Sequence, residues 1–479
     1  MRRFLCCLLM ALTALSVCTS CREARPAGDL SGARIGVLTN LAQHTELPEL
    51  FPDAEFLRYE ELPSMCLALR SRKIDAMVCL EPGLDNLLAR NPTFRELSVL
   101  PVRDSSAVAF SPDDDHMVAL FNEFFAEMAG DGRLDAMRAN WFGPDAPHAF
   151  YEAEGGAGEP LRVGIELGQS GLTVMEDGEE TGFEPELMRR FGDAVGRPVH
   201  FVEMTSTGMI PALMSGRVDA LVDAITPTRD RSSSVLFSDP YYICNLHLVA
   251  LDPDAHVRSH PWRAIQENLF EDGRGRLILK GLGVTLLIVF FSIFLGSILG
   301  ILLCRMRNSR RPGLRKAGHA WCEFIEGVPV VVLLLFMFYV VFAASTLGAI
   351  VVAIITYSLH FSAGACEAFL GGIKAVPRGQ YEAGLALGFN HWESLRYVVI
   401  PQATRQILMQ FKGKSVALIE NTAIVGFIAI QDLTKVTDII RSQTYNSLIP
   451  LVVVGVLYFL LARLICLGIE KLEDVLLKK

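Results

Sequence analysis

Charged residues and catalytic motifs are both scarce in this chain. Charged residues make up only 20% of the 479 residues, whereas 51% are hydrophobic, and the mean hydropathy is +0.34. One CxxC pair, Cys18 and Cys21, occurs in the N-terminal segment, but no second Cys pair or His/Cys cluster completes the spacing of a zinc site. No nucleophile–base pair is recognisable, and the phosphate-binding pattern GxxxxGK[ST] does not occur. This composition excludes a purely soluble enzyme and disfavours disorder. We therefore expect no catalytic residue, no metal site and no cofactor bound by this chain.

The cysteines do not suggest a disulfide framework. Of the 11 cysteines, only Cys66, Cys79 and Cys244 lie between the N-terminal segment and the apolar half, and their spacing is wide. We expect them to be buried as small hydrophobic residues. A Cys66–Cys79 disulfide is the alternative.

The net charge of -9 hides a division within the chain. Residues 22–262 hold roughly twice as many acidic as basic residues, whereas the residues after 262 have an excess of Lys and Arg. An acidic first half gives no support to nucleic-acid binding. A basic excess in an apolar half is typical of the cytoplasmic loops of a membrane protein.

The first 21 residues have the pattern of a targeting segment. Arg2 and Arg3 precede an apolar run of about 14 residues, and the pair Ser20-Cys21 offers a cleavage site. A lipoprotein signal, a plain signal peptide and an uncleaved anchor all fit this pattern. In each case residues about 22–275 are expected on the periplasmic or extracellular side.

Two regions of α/β pattern follow the targeting segment. Residues 30–148 and residues 161–251 both alternate short apolar strands with amphipathic helices. Residues 149–160, rich in Gly, Pro and acidic side chains, are predicted to be a linker. Residues 252–275 are predicted to lead to the membrane as a linker or interfacial segment.

Residues 276–479 are predicted to be a membrane domain with five transmembrane helices. The predicted segments are 281–303, about 327–344, 346–366, about 405–430 and 449–468. The first segment is followed by RMRNSRRPGLRK, which the positive-inside rule places in the cytoplasm. The same topology places the loop at 370–400 and the C-terminal residues inside.

The loop sequence GQYEAGLALGFNHWESLRYVVIPQA, residues 379–403, is the most specific motif in the chain. It resembles the EAA loop of permease subunits of ATP-binding-cassette (ABC) importers. The matching residues are Gly379, Gln380, Glu382, Ala383, Gly384, Gly388, Val398, Ile400 and Pro401, with Gly384 in place of the second Ala of the family pattern. A short helix of small residues, broken by Gly388, can sit in a groove of a partner protein. The resemblance implies a separate ATPase subunit that docks on this loop and uses ATP. It also implies a second permease, either a second copy of this chain in a homodimer or a different paired permease.

The segments that flank this loop resemble permeases for polar amino acids, with departures in charge. Glu326 and Glu420 stand where Arg and Lys are usual in that family. Charge inside a membrane is expensive, so charged residues there are candidates for a translocation path. The candidate path residues are Glu367, Glu420 and Thr422. Lys412 is expected either to pair with Glu420 or to lie, with Lys414, near a water-filled or interfacial end.

The first half of the chain resembles the solute-binding proteins of the same importers. The segment GRVDALVDAITPTRDRSSSVLFSDPYY carries a signature whose Arg binds the ligand carboxylate, and Arg231 matches that Arg. A guanidinium grips a carboxylate with two parallel hydrogen bonds and keeps its charge. Thr226 and Ala224 match positions that offer a hydroxyl and backbone groups to the ligand. Leu172 is nearest to the position of a missing aromatic, and Glu81 follows Leu80, which stands where the family has an Asp.

The two lobes of this binding-protein resemblance occur in reversed order. Residues 33–148 resemble the second lobe with the terminal helices, and residues 161–251 resemble the first lobe, as in a circular permutation. Asn40 and Leu41 replace a Gly-Thr pair of the second lobe. We expect one permuted two-lobed domain rather than two tandem receptors.

These features together predict an α/β two-lobed periplasmic-binding-protein-like domain, followed by an all-α transmembrane domain of five helices, in the plasma (inner) membrane. The implied function is that of a fused substrate-binding and permease subunit of an ABC importer for a polar amino acid or a similar solute. The alternative is a membrane sensor or regulatory permease whose altered binding domain gates transport. The expected partners are an ABC ATPase, a second permease copy, an amino-acid-like ligand and membrane lipid, but no nucleic acid.

Overall fold

Short strands of Val, Ile, Leu and Ala recur through the first half of the chain, as expected for strands buried on both faces of a sheet. A computed structural model gives the architecture. It describes residues 30–477 except 31, 40–45, 82, 143–145, 167–171, 177–178, 205, 254–264, 267, 343–344, 346 and 429. The predicted targeting segment and much of the predicted segment 252–275 lie outside the described residues.

We number the two lobes by their order along this chain, so the first lobe is the one whose sequence resembles the second lobe of the binding proteins. It is built on a five-stranded sheet. Its elements are β1 (Arg34–Leu38), α1 (Glu46–Leu50), β2 (Glu55–Tyr59), α2 (Leu62–Arg70), β3 (Ala76–Leu80), α3 (Leu84–Arg90), β4 (Phe94–Ser106) and β12 (Tyr242–Leu251). The strand order is β2-β1-β3-β12-β4. β1 is parallel to β2 and β3, whereas β12 is antiparallel to β3 and β4. Ile35, Val78 and Leu248 are buried between this sheet and its helices.

The second lobe has its own five-stranded sheet. Its elements are β5 (Ala109–Phe110), α4 (Asp115–Gly130), α5 (Arg133–Trp141), β6 (Leu161–Ile165), β7 (Val174–Glu176), β8 (Glu179–Thr181), α6 (Phe183–Val195), β9 (Val199–Glu203), α7 (Ser206–Met214), β10 (Ala220–Val222), α8 (Arg229–Ser232) and β11 (Leu236–Phe237). The strand order is β11-β5-β10-β6-β9. Phe121 and Phe124 of α4 meet Phe191 of α6, with ring centroids 5.1 and 5.5 Å apart.

The chain crosses between the lobes twice, once between β4 and β5 and once between β11 and β12. The two crossings lie side by side, because Tyr241 N donates to Ser106 O at 2.9 Å and Ser238 N donates to Val108 O at 2.9 Å. This arrangement is one two-lobed domain, with a hinge formed by the paired crossings.

The lobe boundaries differ from the prediction, which divided the domain at the linker 149–160. Residues 109–141 belong to the second lobe, because β5 pairs with β10 and β11 and the aromatic face of α4 packs on α6. Residues 242–251 belong to the first lobe, because β12 is inserted between β3 and β4. Strand pairing over more than 100 residues, which no local pattern encodes, decides both assignments.

The described cysteines are free thiols. Cys66, Cys79 and Cys244 are all buried. Cys66 and Cys79 pack in the apolar cluster between α2 and β3. Their expected role as small hydrophobic residues is confirmed, and the alternative Cys66–Cys79 disulfide is wrong.

The second half of the chain is helical. Its helices are α9 (Arg274–Arg307), α10 (Pro312–Gly327), α11 (Val330–Phe336) with a π-type continuation at Met337–Val341, α12 (Ala349–Ala375), α13 (Arg378–Ala386), α14 (His391–Glu393) with a π-type turn at Ser394–Val399, α15 (Ile400–Thr422), α16 (Leu433–Thr444) and α17 (Leu448–Leu477), with a 3₁₀ turn at Val425–Ile428. α12 lies between α9 and α15 at the centre of the bundle, with Tyr357 and Phe361 fully or nearly buried.

The described residues do not confirm the predicted count of five membrane-spanning helices. Among the described residues, three helices are long and apolar enough, and α10 with the α11 segment makes a fourth if that pair, bent by 100°, counts as one span. The predicted segment 405–430 is divided between α15 and the 3₁₀ turn that follows. α15 carries Arg405, Lys412, Lys414 and Glu420, which lower its apolar character.

Candidate functional site

The loop at residues 379–403 folds as a short helix, a tight turn and a second helical start. α13 ends at Ala386, and Gly388 adopts a φ of +92°, a conformation that strongly favours glycine. Asn390 then caps α14, since its Oδ1 accepts from Glu393 N at 2.9 Å while Glu393 Oε2 accepts from Asn390 N at 2.8 Å. The helix break predicted at Gly388 is present, and Pro401 lies in the first turn of α15.

The departure from the family pattern at Gly384 has a steric explanation. A Cβ at this position would lie 2.8 Å from Ser394 Oγ and 3.1 Å from Ser394 Cβ. The second Ala of the pattern would therefore require the Ser394 side chain to shift where α13 packs on the turn at Ser394–Val399. Gly384 is the buried residue of α13, whereas Glu382 and Ala383 are exposed.

The same loop presents large apolar side chains to solvent. Leu387 is 79% exposed, and Phe389, Trp392 and Tyr397 are also exposed. Exposed apolar clusters of this kind mark surfaces that another protein covers. Together with the carboxylate of Glu382, they form a surface that we name the loop face.

A cavity of about 300 Å³ opens inside the helical half. Its polar lining comes from three helices: Glu326 of α10, His360 of α12, and Lys414 and Asn421 of α15. Lys414 Nζ lies 3.4 Å from Glu326 Oε1, so the cavity holds one charge of each sign. Sequence reasoning missed His360, although a histidine inside an apolar run was a usable signal.

The predicted path residues do not line this cavity. Glu367 pairs with Arg307, Glu420 is exposed, and the buried Thr422 hydroxyl donates to Ile419 O at 2.6 Å. The alternative pair Lys412–Glu420 is wrong, because Lys412 Nζ lies 2.5 Å from Glu470 Oε1 on α17. Glu470 of the neighbouring helix lies within reach of Lys412, whereas Glu420 is two turns further along the same helix.

Arg231 and Thr226 come together beside the hinge of the two-lobed domain. Arg231 Nη1 donates to Thr226 O at 3.2 Å. The Thr226 hydroxyl donates to the buried carboxylate of Asp104, at 3.1 Å to Oδ1 and 3.3 Å to Oδ2. The sequence analysis named Arg231 and Thr226 as ligand-binding residues, which stays a prediction, and it missed Asp104, which the other lobe contributes.

Ala224 lies next to a buried acid that sequence reasoning also missed. Ala224 has a φ of +44°, and its N–H donates to Glu184 Oε1 at 2.7 Å. The Tyr241 hydroxyl donates to the same carboxylate oxygen. Burial raises the pKa of Glu184 to about 7, although these two hydrogen bonds oppose that shift. The backbone group that the family offers to a ligand is here engaged by Glu184.

The structure does not bring Leu172 or Glu81 to Arg231. Leu172 is 3% exposed and packs in the core of the second lobe with Phe183, which leaves it no surface for a ligand. Glu81 Oε2 accepts from Asn245 N at 3.1 Å and from Asn245 Nδ2 at 3.3 Å, so it is tied to its own lobe. Both assignments to a substrate site are therefore corrected. Asn40 and Leu41 lie outside the described residues.

The helical half is similar in sequence to known membrane transport proteins. Residues 263–473 match the family model for the binding-protein-dependent transport system inner membrane component. The probable amino-acid ABC transporter permease protein YckA of Bacillus subtilis (strain 168) is 27% identical over 203 residues, which cover 42% of this chain and 88% of that relative. A crystal structure of an amino acid ABC transporter with histidines is 29% identical with a TM-score of 0.39, covering 43% of this chain and 94% of that one. A ligand-binding component of an ABC-type import system from Staphylococcus aureus is 13% identical with a TM-score of 0.26, covering 46% of this chain and 65% of that one.

Residues 263–473 thus form a permease domain of the binding-protein-dependent transport system inner membrane component type, and the relatives that they resemble are named as ABC transporter permeases, not as enzymes. A permease domain of this type implies an ATPase partner and a binding protein. The α/β half that precedes it consists of two five-stranded sheets joined by paired crossings, an arrangement that resembles a two-lobed binding domain.

Proposed function

We propose that the chain is the fused substrate-binding and permease subunit of an importer for an amino acid or an amino-acid-like solute. A separate ATPase docks on the loop face, and two copies of the chain form the complete permease. The single observation that carries this proposal is that one chain joins a hinged two-lobed domain to a permease with an exposed coupling loop. Fusion keeps the receptor at a local concentration of order millimolar, which replaces diffusional docking.

The membrane cavity suits the chemistry of such a solute. An α-amino acid carries an ammonium and a carboxylate, and Glu326 and Lys414 offer one counter-charge to each. His360 and Asn421 add groups that can hydrogen-bond a polar side chain. The cavity volume of about 300 Å³ admits a small ligand. We assign this cavity as the site through which the solute passes.

A specific observation favours a second candidate function, the sensor or regulatory permease. The Thr226 hydroxyl and the Ala224 N–H, which the family offers to a ligand, are engaged by Asp104 and Glu184. A domain altered in this way can bind a ligand and change the activity of the permease without delivering that ligand. Ligand binding without uptake distinguishes this candidate from the importer.

Arg231→Ala is expected to weaken binding of an α-amino acid to the full chain by about 2–4 kcal/mol, because the ligand carboxylate loses its charged partner. Arg231→Lys should rescue only part of the loss, since an ammonium lacks the planar fork. Calorimetric titration with the amino acid selected by a thermal-shift screen measures both. Arg133→Ala, on the exposed surface of α5, serves as the control and should bind as the wild type does. Undiminished binding by Arg231→Ala would exclude this residue from the site.

The buried Glu184 carboxyl is expected to make the two-lobed domain less stable as the pH rises from about 4.5 to about 7. Its folded pKa of about 7 lies above the ordinary value of 4.5, so the folded state holds a proton that the unfolded state releases within this window. The loss is of order 3 kcal/mol at most. Thermal unfolding of the full chain across this range should show a falling transition temperature, and Glu184→Gln should flatten that fall. An equally steep fall of the transition temperature in Glu184→Gln would show that other groups cause the effect. Asp223 is the first candidate, because burial also raises its pKa.

A further inference from the structure

One short helix of the permease contacts both lobes of the binding domain. α16 meets the second lobe through Lys435, whose Nζ lies 3.4 Å from Glu203 Oε1 at the end of β9. The two side chains are only 7% and 4% exposed. Gln431, just before α16, donates through Nε2 to Glu203 Oε2 at 2.7 Å. A charge pair this deeply buried is costly to break, because either partner alone would remain desolvated.

The other end of α16 meets the first lobe. Arg441 Nη2 lies 2.9 Å from Glu61 Oε2 and donates to Ser64 Oγ at 3.0 Å, both at the start of α2. Asp438 holds the same guanidinium, with Oδ1 2.8 Å from Nη1. Tyr445, which follows α16 directly, is 3% exposed and packs in the apolar cluster of α2 and β3. The contact with the first lobe is therefore both ionic and apolar.

The spacing of these contacts makes α16 a bridge across the two lobes. Lys435 and Arg441 are six residues apart, about 9 Å along a helix. Burial lowers the pKa of Lys435, but the carboxylates of Glu203, Glu166 and Asp438 outweigh it and raise that pKa above the usual value. Lys435 therefore stays charged, and both lobes are held to the same rigid element.

The N-terminal end of α16 is in turn fixed to membrane helices. Leu433 N donates to Thr285 Oγ1 of α9 at 3.1 Å, and Tyr458 of α17 donates to Asp432 Oδ2 at 3.0 Å. At Gly281 of α9 a Cβ would lie 2.9 Å from Asp432 O, so the backbones approach as closely as glycine allows.

We propose that α16 transmits the relative movement of the two lobes to α9 and α17, and that each binding domain is docked on the permease of its own chain. A hinge motion at the paired crossings changes the distance between Glu61 and Glu203. Since α16 is attached to both, such a motion must either break one contact or displace α16, and α16 moves only with its partners on α9 and α17. This inference needs movement of the lobes and no particular substrate, so it stands apart from the proposed function.

Hydrogen–deuterium exchange of the full chain in lipid nanodiscs, without added ligand, tests this proposal. Arg441→Gln and Glu61→Gln each remove the ion pair with the first lobe, from opposite sides. Each is expected to raise exchange at least threefold in α2, at the start of α9 (278–286) and at the start of α17 (446–458). The double variant should match Arg441→Gln, because Glu61 has no remaining pair with Arg441 to lose once Arg441 is replaced. Arg463→Gln, which alters an exposed Arg of α17 paired with Glu470, is the matched control and should leave α2 unchanged.

Three results would overturn the proposal. Faster exchange confined to α2 and α16 would show docking without transmission. Unchanged exchange in both single variants would show that the pair does not hold the lobe. Additive effects in the double variant would show that Arg441 and Glu61 act through different partners. If Arg441→Gln does not fold, Glu61→Gln alone decides between transmission and docking, because Glu61 is 43% exposed.

Discussion

Gly388→Trp is expected to abolish ATP-dependent uptake and to separate the ATPase from the purified permease. Gly388 has a φ of +92°, which an L side chain rarely adopts, so Trp strains the turn that orients α13 relative to α14. Glu382→Lys is expected to have the same effect through charge, because Glu382 is exposed on the loop face beside the apolar side chains of Leu387 and Trp392. Affinity purification of the chain from membranes that contain the ATPase should recover at least tenfold less ATPase with either variant.

Two controls separate this effect from misfolding. Glu323→Lys makes the same charge reversal at an exposed position of α10 outside the loop face, and it should retain the ATPase. Ligand binding by the two-lobed domain should be unchanged in all three variants. Normal recovery of ATPase with both loop variants would mean that the partner docks elsewhere.

Lys414→Met is expected to lower uptake by about 10- to 100-fold while the ATPase remains bound. Removal of the ammonium leaves Glu326 without the partner that lies 3.4 Å away and leaves the ligand carboxylate without a counter-charge. The exchanged pair Glu326→Lys with Lys414→Glu should recover part of the uptake, because it restores one charge of each sign. Initial rates in proteoliposomes measure the effect.

Lys412→Met is the matched control for this prediction. Lys412 lies two residues away on the same helix, but it pairs with Glu470 and does not line the cavity. Its uptake is expected to stay within about twofold of the wild type, since a half-exposed ion pair contributes little. Equal losses in Lys412→Met and Lys414→Met would argue against the cavity as the path of the solute.

The features that the sequence predicted well are local ones. Gly388 and Pro401 are close in the chain, and their conformations follow from glycine and proline chemistry without distant contacts. The cap at Asn390 is equally local, but the sequence analysis did not predict it. The family resemblance indicated the function of these loop residues, and local backbone chemistry predicted their conformation.

The features that the sequence predicted poorly depend on tertiary contacts. β5 belongs to the sheet of the second lobe and β12 to the sheet of the first lobe, the reverse of the prediction. Their pairing partners lie more than 100 residues away in the sequence. Lys412 pairs with Glu470 of α17 and not with Glu420 of its own helix. Leu172 lies in the buried core of the second lobe, in the same cluster as Phe183, which a missing aromatic in the sequence does not reveal. The bridge formed by α16 also needed the structure, since Lys435 and Arg441 meet lobes that precede them by more than 200 residues.

The most direct test of the receptor–permease account is uptake of radiolabelled amino acids into proteoliposomes that contain this chain and the ATPase that co-purifies with it. The account predicts ATP-dependent accumulation of at least one amino acid, with the same amino acid bound by the two-lobed domain and both activities reduced in Arg231→Ala. Binding of an amino acid that changes ATP hydrolysis without any accumulation inside the vesicles would contradict the account and establish the sensor instead.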